Sequence, residues 1–338
     1  MDPQYSRTLE SFEVVSLETK LCSRVFNTAM SATTRFALCN LFVLVLVGAK
    51  VFAADVINGT VRFTLFNRQQ QKWMNLSSKN SDFESNGCSP KEPFAIIVHG
   101  WREGSYTEWI KDTKSNLTTY RSGCVLFMSY GNDNQNVDYF GQLMPNFNNL
   151  ANDLVGLLKR LETVGFDPAD GFIFGFSFGA QLAFEAGRRF GFGKLARIDA
   201  CEPAGPGFDD SRIYSLLDPK KAAKVVQCIH TSSNYGTKLR NCHINWNMGQ
   251  CGKSQVAAGP FPKGSHGLCP YFYNSAFTHN FYAVPKPKDC SSSRYTGSWP
   301  SRFRMGYFSD MNSTFQAELF SPSSKYYPYI NDTVANKI

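Results

Sequence analysis

From about Val61 onward, short apolar runs alternate with clusters of Gly, Asn, Ser and Pro. RFTLFN, from Arg62 to Asn67, alternates polar and apolar positions and predicts an early, half-exposed strand. PFAIIVHGW, CVLFMSYG, GFIFGFSFG, KLARIDAC and KVVQCIHTSS are instead continuous apolar runs, the pattern of strands covered on both faces. Helical periods lie between them. In NFNNLANDLVGLLKRLETVGF the residues Leu150, Leu154, Leu157, Leu158 and Leu161 recur at spacings of three and four, and Gly165 closes the period. GAQLAFEAGRRF makes another. Strand and helix in alternation predict an open, mainly parallel α/β sheet rather than a sandwich or a bundle. Beyond about Gly236 a Cys-, Gly- and Asn-rich stretch runs to Cys269, PYFYNSAF offers one aromatic helical segment, and RFRMGYFS and TFQAELFS read as edge strands. No linker of simple composition divides residues 54–338, which read as one domain.

The amino-terminal part has a different pattern. Phe36 to Ala53 is the only long apolar run, broken by Asn40 and Lys50 and closed by small residues, so residues 1–53 read as a signal peptide. Met30, followed by SATTR, gives an ordinary start for such a segment, which makes residues 1–29 an extension; the competing reading is an uncleaved signal anchor. Both predict export to an extracellular location. Of ten cysteines, Cys22 and Cys39 fall in the removed part, and the remaining eight predict four disulfides in an oxidising compartment. Zinc is the competing use, but there is no CxxC pair, and Cys242 next to His243 cannot easily aim both side chains at one ion. Five glycosylation sequons, at Asn58, Asn75, Asn116, Asn312 and Asn331, agree with export. Hydrophobic residues at 43% and charged ones at 18% exclude a disordered chain or a coiled coil. A net charge of +8 without a basic stripe excludes nucleic acid as the expected partner.

The candidate chemistry centres on GFSFG, Gly175 to Gly179, which follows an apolar strand and precedes a helical period. That is the setting of a nucleophile elbow, in which Ser177 sits on a strained strand-to-helix turn and the flanking glycines prevent collisions. A neutral hydroxyl needs a His base and an acid that orients it, in the chain order Ser, acid, His. This order eliminates His99. His230 lies inside a strand run, while His243, His266 and His279 sit in or beside loops and cannot be separated by spacing. His266, between Gly264 and Gly267, has the best loop setting. The acid should follow the next strand, where Glu202, just past the strand end, is better placed than Asp199. The strand before His99 brings Trp101 to the same edge, so the backbone N–H groups of Trp101 and Phe178 are candidate oxyanion donors, each worth about 3 kcal/mol. No metal or organic cofactor is needed.

Collectively these segments resemble the animal pancreatic lipase family, which includes phospholipases A1 and insect yolk proteins. IIVHGW is similar to its oxyanion strand, FGFSFGAQLAFEAGRRF to its elbow and helix, CEPAGPGF to its acid loop, SHGLCPYFYNSAF to its His loop, and MGYFSD to a late strand. The resemblance covers about Val61 to Phe320 and implies the α/β-hydrolase fold, with Ser177 as nucleophile, Glu202 where the family usually has Asp, and His266 as base. This chain departs from the family at Phe176, usually His, at Glu202, and at Leu268, where an Arg is usual. Only nine residues separate Gln255 from Ser265, where triglyceride lipases carry a long lid. A short lid obstructs bulky head groups less, which tilts the expected substrate towards phospholipid or galactolipid. Two functions follow: a secreted lipid esterase working at a membrane or droplet surface, or a non-catalytic lipid-carrying or yolk-storage relative.

Overall fold

The computed structural model describes residues 61–130, 138–260, 264–312 and 314–331, so the expected signal segment lies outside the described residues. The strands are β1 (Arg62–Asn67), β2 (Lys72–Asn75), β3 (Phe94–Val98), β4 (Cys124–Ser129), β5 (Gly171–Phe176), β6 (Arg197–Cys201), β7 (Val225–His230), β8 (Ile244–Met248) and β9 (Ala317–Ser321). They form one sheet in the order β2-β1-β4-β3-β5-β6-β7-β8-β9. β1 is antiparallel to both of its neighbours, and every pairing from β4 to β9 is parallel. This is the mainly parallel α/β sheet expected from the alternation, in the α/β-hydrolase architecture that the family resemblance implied.

Helices cover both faces, which explains why the central strands are apolar throughout. In β5, Ile173 enters a core shared with α2 (Phe147–Val164) and α3 (Phe178–Phe190). Phe172, Phe174 and Phe176 enter the opposite core with α1 (Glu108–Tyr120) and α4 (Cys269–Ser275). A register slip of one residue would exchange these two sets and is excluded by packing. The leucine stripe of α2 is buried along its length, and Gly165 ends the helix at φ +109°, its N–H donating to the carbonyls of Leu161 and Glu162. Among the described residues no helix is long and apolar enough to cross a membrane.

Four elements differ from expectation. α1, β2 and β8 have no counterpart in the sequence reading. In β8, Ile244, Trp246 and Met248 enter the second core while Asn245 and Asn247 do not, and so brief an alternation carries little signal. RFRMGYFS is not a strand. Its carbonyls at Gly306, Tyr307 and Ser309 accept from the Arg197 guanidinium, and Gly306 sits at φ +104°, so this backbone is turned towards a buried cation instead of a neighbouring strand. TFQAELFS does supply the edge strand β9. The eight cysteines of the described chain form four disulfides, Cys88–Cys124, Cys201–Cys269, Cys228–Cys242 and Cys251–Cys290. Strand order reverses between β3 and β5, because β4 lies outward on one side and β6 on the other. Such a switch point opens a crevice at the carboxyl ends of the strands.

Candidate active site

Ser177 stands at that carboxyl edge of the sheet, between the end of β5 and the first residue of α3, with φ +54° and ψ −118°. A non-glycine residue with this backbone is strained, and its neighbours hold it there. The Ser177 N–H donates to the Cys201 carbonyl at 3.0 Å, and the Ser177 carbonyl accepts from Ala180 and Ala204. Both glycines of GFSFG are required by backbone contact. A Cβ at Gly175 would lie 2.7 Å from Ala180 Cα, and one at Gly179 would lie 2.3 Å from the His99 carbonyl. The tight seat of α3 on the end of β3 therefore dictates the motif.

The same contact brings the two candidate oxyanion donors to one edge, since Val98 and Gly175 are register partners. The N–H of Phe178 is the first of α3 and so has no partner within the helix. Trp101 follows β3 in a loop held by three groups. Gly100 N–H donates to Glu103 Oε2 at 2.9 Å, and Trp109 Nε1 donates to Glu103 Oε1 at 2.9 Å, so one buried carboxylate ties the loop to α1. His99 Nδ1 donates to the Gly100 carbonyl at 2.7 Å, and its Nε2 accepts from the Tyr130 N–H, so His99 serves the loop. The Tyr130 hydroxyl donates to the His99 carbonyl, and burial holds that phenol well above its usual range and keeps it a donor.

Ser177 Oγ and His266 Nε2 are 2.8 Å apart. With the ring proton on Nδ1, the serine hydroxyl donates to Nε2. The imidazole is flanked by Phe176 and Tyr235, with ring centroids 5.1 and 5.7 Å away. Its Nδ1 lies 3.9 Å from Glu202 Oε1, too far for a hydrogen bond but close enough for a charge contact once the ring is protonated. Apo triads are often loose in this way and tighten with the reaction.

Glu202 is fully buried and left-handed, at φ +47°, with its N–H donating to the Ile229 carbonyl at 2.7 Å. Its carboxylate accepts from the N–H and hydroxyl groups of both Thr231 and Ser232, the residues that follow β7. Beside it, a Cβ at Gly236 would lie 1.5 Å from Glu202 Oε1. The extra methylene of glutamate thus occupies space that only glycine leaves open.

The remaining candidates are engaged elsewhere. Asp199 accepts both forks of Arg197, at 2.7 and 2.8 Å, and the Tyr273 hydroxyl at 2.7 Å, so it serves a buried structural pair. His230 is buried beside Asn245, and burial holds its pKa well below the usual range. His243 accepts the Val226 N–H, and His279 pairs with Thr278. The group Cys251, Asp289 and Cys290 has metal-binding proximity, but its two sulfurs are bonded to each other.

Thr231, Ser232, Gly236, Glu103 and Gln255 support the site without having announced themselves in the sequence. Gln255 joins the two sides: its Nε2 donates to the carbonyls of Thr231 and Met248, and its N–H donates to Ser265 Oγ, next to His266. The Cys201–Cys269 disulfide makes a covalent version of the same link, joining the residue before Glu202 to the turn after His266. Replacing both cysteines by serine should cost roughly 4 kcal/mol of stability for a loop of this length. The cost should exceed that of removing Cys251–Cys290, which closes a shorter loop. Denaturant titration of both double variants would check this ranking.

The sequence profile of the Lipase family matches residues 45–251, a span that includes Ser177 and Glu202. Lipase member H of Danio rerio is 27% identical over 233 residues, covering 66% of this chain and 51% of that protein. Phospholipase A1 member A of Bos taurus is 26% identical over 247 residues, covering 69% and 53%. Pancreatic triacylglycerol lipase of Sus scrofa is 28% identical over 181 residues, covering 51% and 38%. The chain thus spans about half the length of the first two relatives and less of the third.

Proposed function

The chain belongs to the lipase family, and we propose that it is a carboxyl-ester hydrolase of lipids. The observation that carries this reading is the 2.8 Å approach of Ser177 Oγ to His266 Nε2, with the Glu202 carboxylate on the far side of the ring. His266 takes the hydroxyl proton as Ser177 Oγ attacks the ester carbonyl carbon. Glu202 then faces an imidazolium, and the backbone N–H groups of Trp101 and Phe178 receive the oxyanion. His266 returns the proton to the leaving alcohol, giving an acyl-enzyme, and the same cycle with water releases the fatty acid.

We further propose a phospholipase A1-like preference. The segment between Gln255 and Ser265 is short, its described part is open to solvent, with Val256 51% exposed, and a bulky head group meets little obstruction there. Residues 54–338 act as the exported lipase domain, with residues 1–53 as its signal segment and a lipid surface as its partner. The apolar run at Phe36–Ala53 and the four disulfides support that compartment.

A serine-directed fluorophosphonate tests the core of the reading. It should label the wild-type chain and leave Ser177→Ala unlabelled, whereas an unlabelled wild type would mark a lipid carrier. Phospholipids with a fluorescent acyl chain at sn-1 or sn-2, assayed beside a triglyceride, test the preference. Release should come from sn-1, and turnover of triglyceride alone would overturn it.

A further inference from the structure

Asn245 and Asn247 of β8 and Glu318 of β9 lie away from the apolar core of these strands. Over Asn247 and Glu318 the chain leaves a groove of about 680 Å³. Four of its lining residues are cationic, Lys238, Arg240, Lys253 and Arg294, against one acid, Glu318, whose carboxylate already accepts from Asn247 Nδ2 at 2.9 Å. Arg240 is the informative member. Its Nε donates to Asn247 Oδ1 at 2.8 Å, and its Nη1 donates to the carbonyls of Thr237 and Leu239, all neutral acceptors. Among the described residues no carboxylate lies within ion-pairing distance of it. Burial weakens its hold on the proton, although Glu202, Glu318 and Asp209 oppose this from farther away. A half-buried guanidinium held only by neutral acceptors keeps its charge for an anion, and here it lines a groove with three more cations.

We propose that this groove binds the phosphate-bearing headgroup of an anionic phospholipid, separately from the lipid whose ester is cleaved. The volume exceeds what a lone phosphate fills, and the spread of four cations suits a headgroup with its adjoining glycerol. Arginine and lysine are the side chains that recognise phosphate, arginine through paired N–H groups. Ser232 belongs to both places: it lines the groove, and its hydroxyl donates to Glu202 Oε1. An occupied groove therefore rests on the loop that holds the proposed catalytic acid. The phosphate chemistry stands without any catalytic role, while the choice of a lipid surface as its source rests on the function proposed above.

The full chain carrying Ser177→Ala, which does not consume vesicles, is the material for the test. It is cosedimented with vesicles of phosphatidylcholine alone and of phosphatidylcholine mixed equally with phosphatidic acid, with glycerol 3-phosphate and inorganic phosphate as competitors. The mixed vesicles should bind it more tightly, and glycerol 3-phosphate should compete better than inorganic phosphate. Lys238→Gln with Lys253→Gln, both exposed side chains, should weaken binding to mixed vesicles by roughly tenfold or more. Arg294→Gln should weaken it further. The control Lys159→Gln with Lys224→Gln removes the same charge elsewhere and should change little. Undiminished binding by the groove variant, or an equal loss in the control, would overturn the site. Direct binding of glycerol 3-phosphate, read by calorimetry, with no cosedimentation on mixed vesicles would overturn the lipid source. Hydrolysis of a soluble monomeric ester by the groove variant in the Ser177 background should match wild type. Absence of that activity in wild type would sink the hydrolase reading and leave the binding result standing.

Discussion

Ser177→Ala is expected to lower turnover of a lipid ester by about 10⁵- to 10⁶-fold, because removing the nucleophile of such a triad costs nearly as much as removing all three groups. The residual rate comes from oxyanion donors and substrate positioning, which the substitution leaves in place. The fold should survive, since the backbone bonds of Ser177 to Cys201, Ala180 and Ala204 do not involve the hydroxyl. Alanine is no easier at φ +54° than serine, so its stability should stay close to wild type. Ser177→Gly should be equally inactive but more stable, by about 1 kcal/mol, because glycine occupies positive φ without the Cβ penalty. Fatty-acid release and denaturant unfolding on the three chains would check both halves. A Ser177→Ala chain within tenfold of wild type would show that another group is the nucleophile.

The second large effect is expected at Gly236, remote from the serine in sequence. Its φ does not demand glycine, so Gly236→Ala tests space alone: the added methyl group would lie 1.5 Å from Glu202 Oε1. The carboxylate must then leave Thr231, Ser232 and the line to His266. Loss or misplacement of the acid lowers turnover by about 10⁴-fold in related triads. Glu202→Asp alone should also be impaired, because the shorter side chain withdraws from the same donors. The double variant Gly236→Ala with Glu202→Asp should recover part of the loss, because one change removes the methylene that the other displaces. Rates from all four chains give a double-mutant cycle, and strict additivity would show that the two residues do not share this space.

These sites mark the boundary of what the amino-acid sequence made legible. The elbow could be read because all of its parts are contiguous: an apolar strand, two glycines around a serine, and a helical period. His266 could be favoured but not separated from His243 and His279, because a loop's path is set by tertiary packing. Glu202 and Asp199 are three positions apart, and the strand end decides between them, leaving Asp199 in the core with Arg197 and Tyr273. The carboxylate's donors come from the turn after the neighbouring strand β7, and Gln255 from beyond β8, so no local pattern connects them to the acid. RFRMGYFS misled because apolar content was read as a strand where a buried arginine gathers carbonyl groups.

The order of synthesis gives the Cys201–Cys269 link a further consequence. The hydroxyl at 177 and the carboxylate at 202 leave the ribosome well before the imidazole at 266, and a serine without its base is chemically inert. The cysteine that follows His266 pairs with the one that precedes Glu202. If the chain is exported as proposed, forming this bond fastens the segment that carries the proposed base to the strand end that carries the proposed acid.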